Sequence, residues 1–211
     1  DYSNDTATAS PKGDLANDHR YTNAAGGRMN GFPQTTIPGD PAIAAPVQPP
    51  FPYPEQSYNP SNNTRYGYFA GGFRDPSSPS TGRRTLVQRI EYANDTATAA
   101  PKGNLSAARY TLAAVSSRDF GYFAGGSVNG PNTTSLIDRL DYANDSEAAT
   151  PKGGLSDGQQ KFTSVGNASY GYFAGGYPGG NTSVIQRLDY ADDTTATVAK
   201  GPLSANQQGW S

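Results

Sequence analysis

The chain has no cysteine, one histidine, one methionine and one tryptophan in 211 residues. Without cysteine there is no disulfide, no thiolate nucleophile and no cysteine-based zinc site, and the redox compartment stays open. The single histidine, His19, falls on a connector and reads as a solvated loop residue. Neither a Ser-His-Asp triad nor a two-histidine metal site can be assembled from it. Hydrophobic residues make up only 34% of the chain, so a core must be thin or divided. No apolar run approaches the roughly 18 residues of a membrane-spanning helix, and no membrane insertion is expected. Charge is balanced, with 16 basic against 18 acidic side chains and a net charge of −2. That balance gives no overall attraction to nucleic acid or anionic lipid.

Glycine and proline are abundant, at 25 and 17 residues, and so are tyrosine and phenylalanine, at 14 and 8. The first pair disfavours long helices and the second favours strands. The aromatics recur in one phrase: "YGYFAGG" from Tyr66, "FGYFAGG" from Phe120 and "YGYFAGG" from Tyr170. Gly67, Gly121 and Gly171 lie 54 and 50 residues apart. A second block follows each phrase, "TLVQRIEYANDTATAAPKGNLS" from Thr85, "SLIDRLDYANDSEAATPKGGLS" from Ser135 and "SVIQRLDYADDTTATVAKGPLS" from Ser183. The end of that block also opens the chain, as "DYSNDTATASPKGDLA". Three full units and a leading fraction result.

Each unit reads as four short strands. The first begins at a basic and aromatic pair, "RYTLAAVSS" from Arg109, with "RYTNAA" from Arg20 and "KFTSVG" from Lys161 in its place; Trp210 then matches Tyr110 and Phe162 as the start of another. The second is the GYFAGG strand. In the third, alternation sets Leu86, Gln88, Ile90 and Tyr92 on a greasy face and Val87, Arg89 and Glu91 on a charged one. The fourth is the small-residue run "TATAA", reached through an "AND" or "ADD" hairpin turn and ended by "PKG".

Four antiparallel strands in roughly 50 residues, with a repeating double glycine, is the pattern of a β-propeller blade. The chain resembles the kelch family in the double glycines Gly71-Gly72, Gly125-Gly126 and Gly175-Gly176, in Tyr92, Tyr142 and Tyr190, and in the basic residue heading each first strand. The resemblance implies an all-β, kelch-like propeller or propeller segment. Kelch units usually carry a tryptophan on the fourth strand; here Thr98, Ala148 and Ala196 sit in that neighbourhood, which implies lighter packing filled by the GYF aromatics. The copper oxidase among kelch-type propellers has a cysteine-linked tyrosine and histidine ligands that find no counterpart here. More narrowly, "DYSNDTATASPKG", "GYFAGG" and "VAKGPLS" are similar to kelch-like tandem repeats in structural proteins of marine cyanobacterial viruses.

The units divide the chain into the end of a preceding blade (1–18), a blade with a Pro-rich insertion at 26–65 (19–105), two further blades (106–155 and 156–205) and the start of another repeat (206–211). Closed propellers use about 4 to 8 blades, so the chain reads as a window on a longer one, or as blades completed by other subunits. The insertion holds nine of the 17 prolines, a composition that favours polyproline II and forbids a central strand. It reads as an arm laid on a neighbouring protein or subunit, anchored by Phe51, Tyr53 and Tyr58.

Arg89 with Glu91, Arg139 with Asp141 and Arg187 with Asp189 recur at one strand position and suggest ion pairs, within a blade or between blades. Asn94-Asp95, Asn144-Asp145 and Asp192-Asp193 offer oxygen ligands but lack the spacing of a calcium loop, and they suit hairpin turns. The loops after the double glycines differ, "FRDPSSPSTGRR", "SVNGPNTT" and "YPGGNT", and would gather Phe73, Arg74, Arg83, Arg84 and Tyr177 on one face. Their variation fits a glycan-binding or protein-binding surface and equally fits relaxed loops. Sequons such as Asn4-Asp5-Thr6 and Asn132-Thr133-Thr134 carry meaning only in a eukaryotic secretory route.

The expectation is a virion structural protein in a fibre, tail or capsid appendage, without enzymatic activity or cofactor. Its partners are other virion proteins, further copies of itself and a host surface glycan or protein. The alternative is a carbohydrate-binding propeller module of a secreted bacterial protein.

Overall fold

The computed structural model describes residues 23–26, 65–74, 82–129, 131–177 and 180–207. His19, Trp210 and the anchors Phe51, Tyr53 and Tyr58 lie outside them. The described residues form three four-stranded antiparallel sheets, one per repeat. The first joins β1 (Asn23–Gly26), β2 (Tyr66–Ala70), β3 (Val87–Glu91) and β4 (Ala100–Pro101) in that order. The second starts with β5 (Ala113–Ser116) and β6 (Phe120–Ala124). The chain then makes a small ladder, β7 (Ser127–Asn129) with β8 (Asn132–Thr133), and returns as β9 (Ile137–Asp141) and β10 (Thr150–Pro151). The third joins β11 (Thr163–Gly166), β12 (Tyr170–Ala174), β13 (Ile185–Asp189) and β14 (Val198–Ala199).

The GYFAGG phrase is the second strand each time, and its composition follows from burial on both sides. In β6, Tyr122 and Ala124 enter a core shared with the third sheet through Phe162, Phe173 and Leu188. Phe123, on the opposite face, enters a core shared with the first sheet through Tyr68, Ala70 and Val87. A strand covered on both faces becomes a continuous apolar run instead of an alternating one. The glycine inside the phrase makes room for a ring: a Cβ on Gly121 would stand 2.9 Å from the Tyr142 hydroxyl. The double glycine turns the chain out of the strand through two left-handed residues, with φ of 60° at Gly125 and 103° at Gly126, where a side chain is strained.

Four expectations from the sequence are corrected. The third strand is not divided into a greasy and a charged face: Val87, on the expected charged face, and Gln88 are both buried while Tyr92, on the expected greasy face, is exposed, and in the middle repeat, which lies between the other two sheets, Ile137, Asp138 and Leu140 are all buried. The fourth strand is not "TATAA". It is shortened to Ala100–Pro101, Thr150–Pro151 and Val198–Ala199, and prolines are tolerated there because the strand is an edge. The "AND" connections include 3-10 turns at Tyr92–Asn94 and Tyr142–Asn144. Finally, Arg109 and Tyr110 do not align with Lys161 and Phe162. Thr111 and Lys161 share a positive φ, 54° and 55°, just ahead of β5 and β11. Gln159 therefore occupies the place of Arg109, and Phe162 that of Leu112; both of the latter side chains are buried.

Candidate functional site

Two features recur or converge: a polar lock at each seam between sheets, and an arginine-lined cleft on the loops. At the first seam the Asp145 carboxylate, in the turn after β9, reaches back to the first sheet. It accepts a 2.8 Å hydrogen bond from the Tyr68 hydroxyl and pairs with Arg89 at 2.6 Å and Lys102 at 3.1 Å. The second seam repeats it with Asp193, which takes Tyr122 at 3.0 Å, Arg139 at 2.8 Å and Lys152 at 3.4 Å. The tyrosine and arginine reach one carboxylate because they are cross-strand partners, Tyr68 with Arg89 and Tyr122 with Arg139. The arginine is held over a ring of its own repeat, Arg89 over Tyr66 at 4.0 Å and Arg139 over Phe120 at 4.2 Å. Stacked tyrosines close each seam, Tyr68 on Tyr142 at 4.9 Å and Tyr122 on Tyr190 at 5.1 Å between centroids.

Electrostatics follow from this geometry. Burial pushes the Asp145 carboxyl up, but Tyr68, Lys102 and Arg89 outweigh it and hold the group below the usual carboxylate range. Tyr68 and Tyr122 are raised, first by burial and then by the carboxylate each one faces; burial alone raises Tyr190. The expected strand ladder is therefore partly rearranged. Arg89 and Arg139 do pair between sheets, but with the turn aspartates. Glu91 pairs with Arg65 at 2.7 Å, and Asp141 and Asp189 accept from the backbone N–H of Ala143 and Ala191. Arg187 lies over Tyr170 at 4.2 Å. The sequence reading missed Tyr68, Lys102 and the turn aspartate as a unit. The signal was available in the joint recurrence of the GYF tyrosine, "ND" or "DD", and "KG".

A second buried charge pair occurs in the middle repeat alone among the described residues. Arg109 and Asp138 are 3.0 Å apart and both fully buried. Asp138 also accepts from the N–H and hydroxyl of Ser106, at 3.0 and 2.7 Å, and Arg109 donates to the Phe123 carbonyl at 2.9 Å. Burial lowers the Arg109 guanidinium, against the pull of Asp138. The third repeat places Gln159 and Gln186 at these positions, and Gln186 accepts from Ser156 N–H and the Thr197 hydroxyl at 2.7 Å each.

On the loop side, Arg74, Arg83 and Arg84 line an open cleft of about 310 Å³ together with Thr85, Leu86 and Asn104. Phe73 bridges Arg83 through the backbone and packs its ring on Tyr110 at 5.1 Å. Four of the five expected loop residues thus come together, while Tyr177, whose N–H bonds the Gln160 carbonyl at 2.8 Å, does not line this cleft. Among the described residues no group of three or more His, Cys, Asp and Glu side chains could hold a metal ion. Comparison with models of known protein families gives no match, and neither does comparison with curated proteins.

Proposed function

We propose that the three sheets are successive blades of a kelch-like β-propeller, and that the protein is a virion structural component in a fibre, tail or capsid appendage. It works by assembly and by adhesion to a host surface. The observation that carries this reading is the contrast between seams and loops. The seams repeat one lock around Asp145 and Asp193, as a scaffold does, while the loops after the double glycines differ and in one repeat group three arginines around a cleft. Guanidinium groups pair with carboxylate or sulfate in a forked geometry, so the cleft suits an acidic glycan. The similarity to repeats of cyanobacterial virus structural proteins supports the particle setting. The Pro-rich insertion at 26–65 supplies an assembly arm through Phe51, Tyr53 and Tyr58.

The second reading, a carbohydrate-binding module of a secreted bacterial protein, rests on the same cleft. Two measurements separate them. Purified source particles should contain the chain by mass spectrometry, and replacing residues 26–65 with a short Gly and Ser linker should spare the fold and reduce incorporation. A chain absent from particles that binds a glycan array as isolated protein, and loses that binding in Arg74→Ala/Arg84→Ala, is the secreted module instead.

A further inference from the structure

The outer face of the third sheet carries the same residues that the first two sheets use to grip their neighbours, yet among the described residues nothing covers it. Tyr172 and Arg187 are cross-strand partners, as Tyr68 and Arg89 are, and Lys200 follows β14 as Lys102 follows β4. Arg187 is already held over Tyr170 at 4.2 Å, the posture that Arg89 and Arg139 take in their locks. No described carboxylate meets this trio. The apolar part of the face is open as well: Val165 is 68% exposed where its counterpart Val115 is 5% exposed, and Val198 is 51% exposed. Gly201 gives a third sign. Its counterparts Gly103 and Gly153 sit where an added Cβ would run into the carbonyls of Glu147 and Thr195 in the next turn, and their N–H groups bond the Asp145 and Asp193 carbonyls at 2.8 Å; around Gly201 there is open space.

We propose that this face is the seat of the chain's own opening segment, residues 1–13, with Asp5 entering the trio of Tyr172, Arg187 and Lys200. The segment reads "DYSNDTATASPKG", the wording of the two turns that fill the described seams. Asp5 stands where Asp145 and Asp193 stand in "DYAND" and "DYADD", and Tyr2 stands where Tyr142 and Tyr190 supply the stacked ring. Charge complementarity fixes the direction, since two cations and a phenol await one carboxylate. Asp95, the corresponding residue of the first repeat, has an interaction of its own; Asp5 is the remaining aspartate of this wording within residues 1–211. The source is the same chain because a tethered segment acts at an effective concentration on the order of millimolar, far above that of a separate copy in dilute solution. The seat is independent of what the loop cleft binds.

The test is zero-length carbodiimide coupling of the intact chain in dilute solution, prepared as an equal mixture of heavy-nitrogen and light-nitrogen protein and read by mass spectrometry. Coupling joins an amine to a carboxylate only in contact, so Lys102–Asp145 and Lys152–Asp193 report the two described seams. The proposal expects a third link, Lys200 to Asp5, with both peptides carrying the same isotope. It further expects Gly201→Ala to cut that link by roughly tenfold, the effect of about 1.4 kcal/mol, while sparing Lys102–Asp145. Mixed-isotope peptides would identify a second copy as the occupant and overturn the proposal. So would the absence of any Lys200 link, a link to another carboxylate, or a Gly201→Ala chain that couples as well as the parent.

Discussion

Tyr68 donates a 2.8 Å hydrogen bond to Asp145, 77 residues further along the chain and in the next sheet. Removing the charge while keeping the shape, in Asp145→Asn, leaves Arg89 and Lys102 facing a neutral amide. Hydrogen bonds to charged groups contribute about 2 kcal/mol, so the urea midpoint should fall by that equivalent. Asp193→Asn should do the same independently, and the double variant should lose about twice as much. The pH dependence has a definite sign. The folded Asp145 carboxyl is held below its ordinary value, so its contribution is present above about pH 4 and is lost as pH falls through the folded value. Stability that stays flat below pH 4 in the parent would count against the lock.

At the alkaline end the tyrosines report the seams. Tyr68, Tyr122, Tyr142 and Tyr190 are all raised, burial being the first cause in each. A phenol whose folded value exceeds its unfolded value of about 10 contributes stability below that pH, and loses it as pH rises toward the folded value. Phenolate absorbance should therefore show at least these four of the 14 tyrosines failing to ionise near pH 10 in the native protein and ionising in urea. Full titration of the native chain at that pH would mean the seams are wet.

The double glycine is tested by Gly126→Val. With φ at 103° and an added Cβ only 2.7 Å from the Tyr110 carbonyl oxygen, the side chain is both strained and obstructed. The expected loss is roughly 1 to 3 kcal/mol, seen as a lowered melting temperature. A variant that melts with the parent would sink this account of the recurring phrase.

The buried pair of Arg109 and Asp138 should behave as a unit. Arg109→Gln alone leaves a fully buried carboxylate without its cation and should cost about 3 to 5 kcal/mol. Arg109→Gln/Asp138→Gln copies the residues that the third repeat already uses there, Gln159 and Gln186, and should recover most of that loss. Denaturant midpoints of the two variants decide it; equal destabilisation would show that the pair is not coupled.

By itself the sequence determined the all-β class, the number of repeats and the strand carrying GYFAGG, because these follow from local composition and from a phrase that repeats in register. It also determined that the double glycines are conformational, since only glycine takes two successive left-handed residues at low cost. The loop arginines Arg74, Arg83 and Arg84 were legible as a group because they are close along the chain. Other features depended on tertiary structure. Whether Ile137 and Asp138 are both buried depends on a sheet lying against each face of the middle repeat, which period-2 alternation cannot encode once both faces are covered. The alignment of Gln159 with Arg109 appeared only when the backbone φ at Thr111 and Lys161 matched. The identity of the partner for Arg89 was decided by how one sheet stacks on the next: Glu91 is two residues away in sequence, yet Asp145 holds the guanidinium because the seam brings in a tyrosine and a lysine to the same carboxylate.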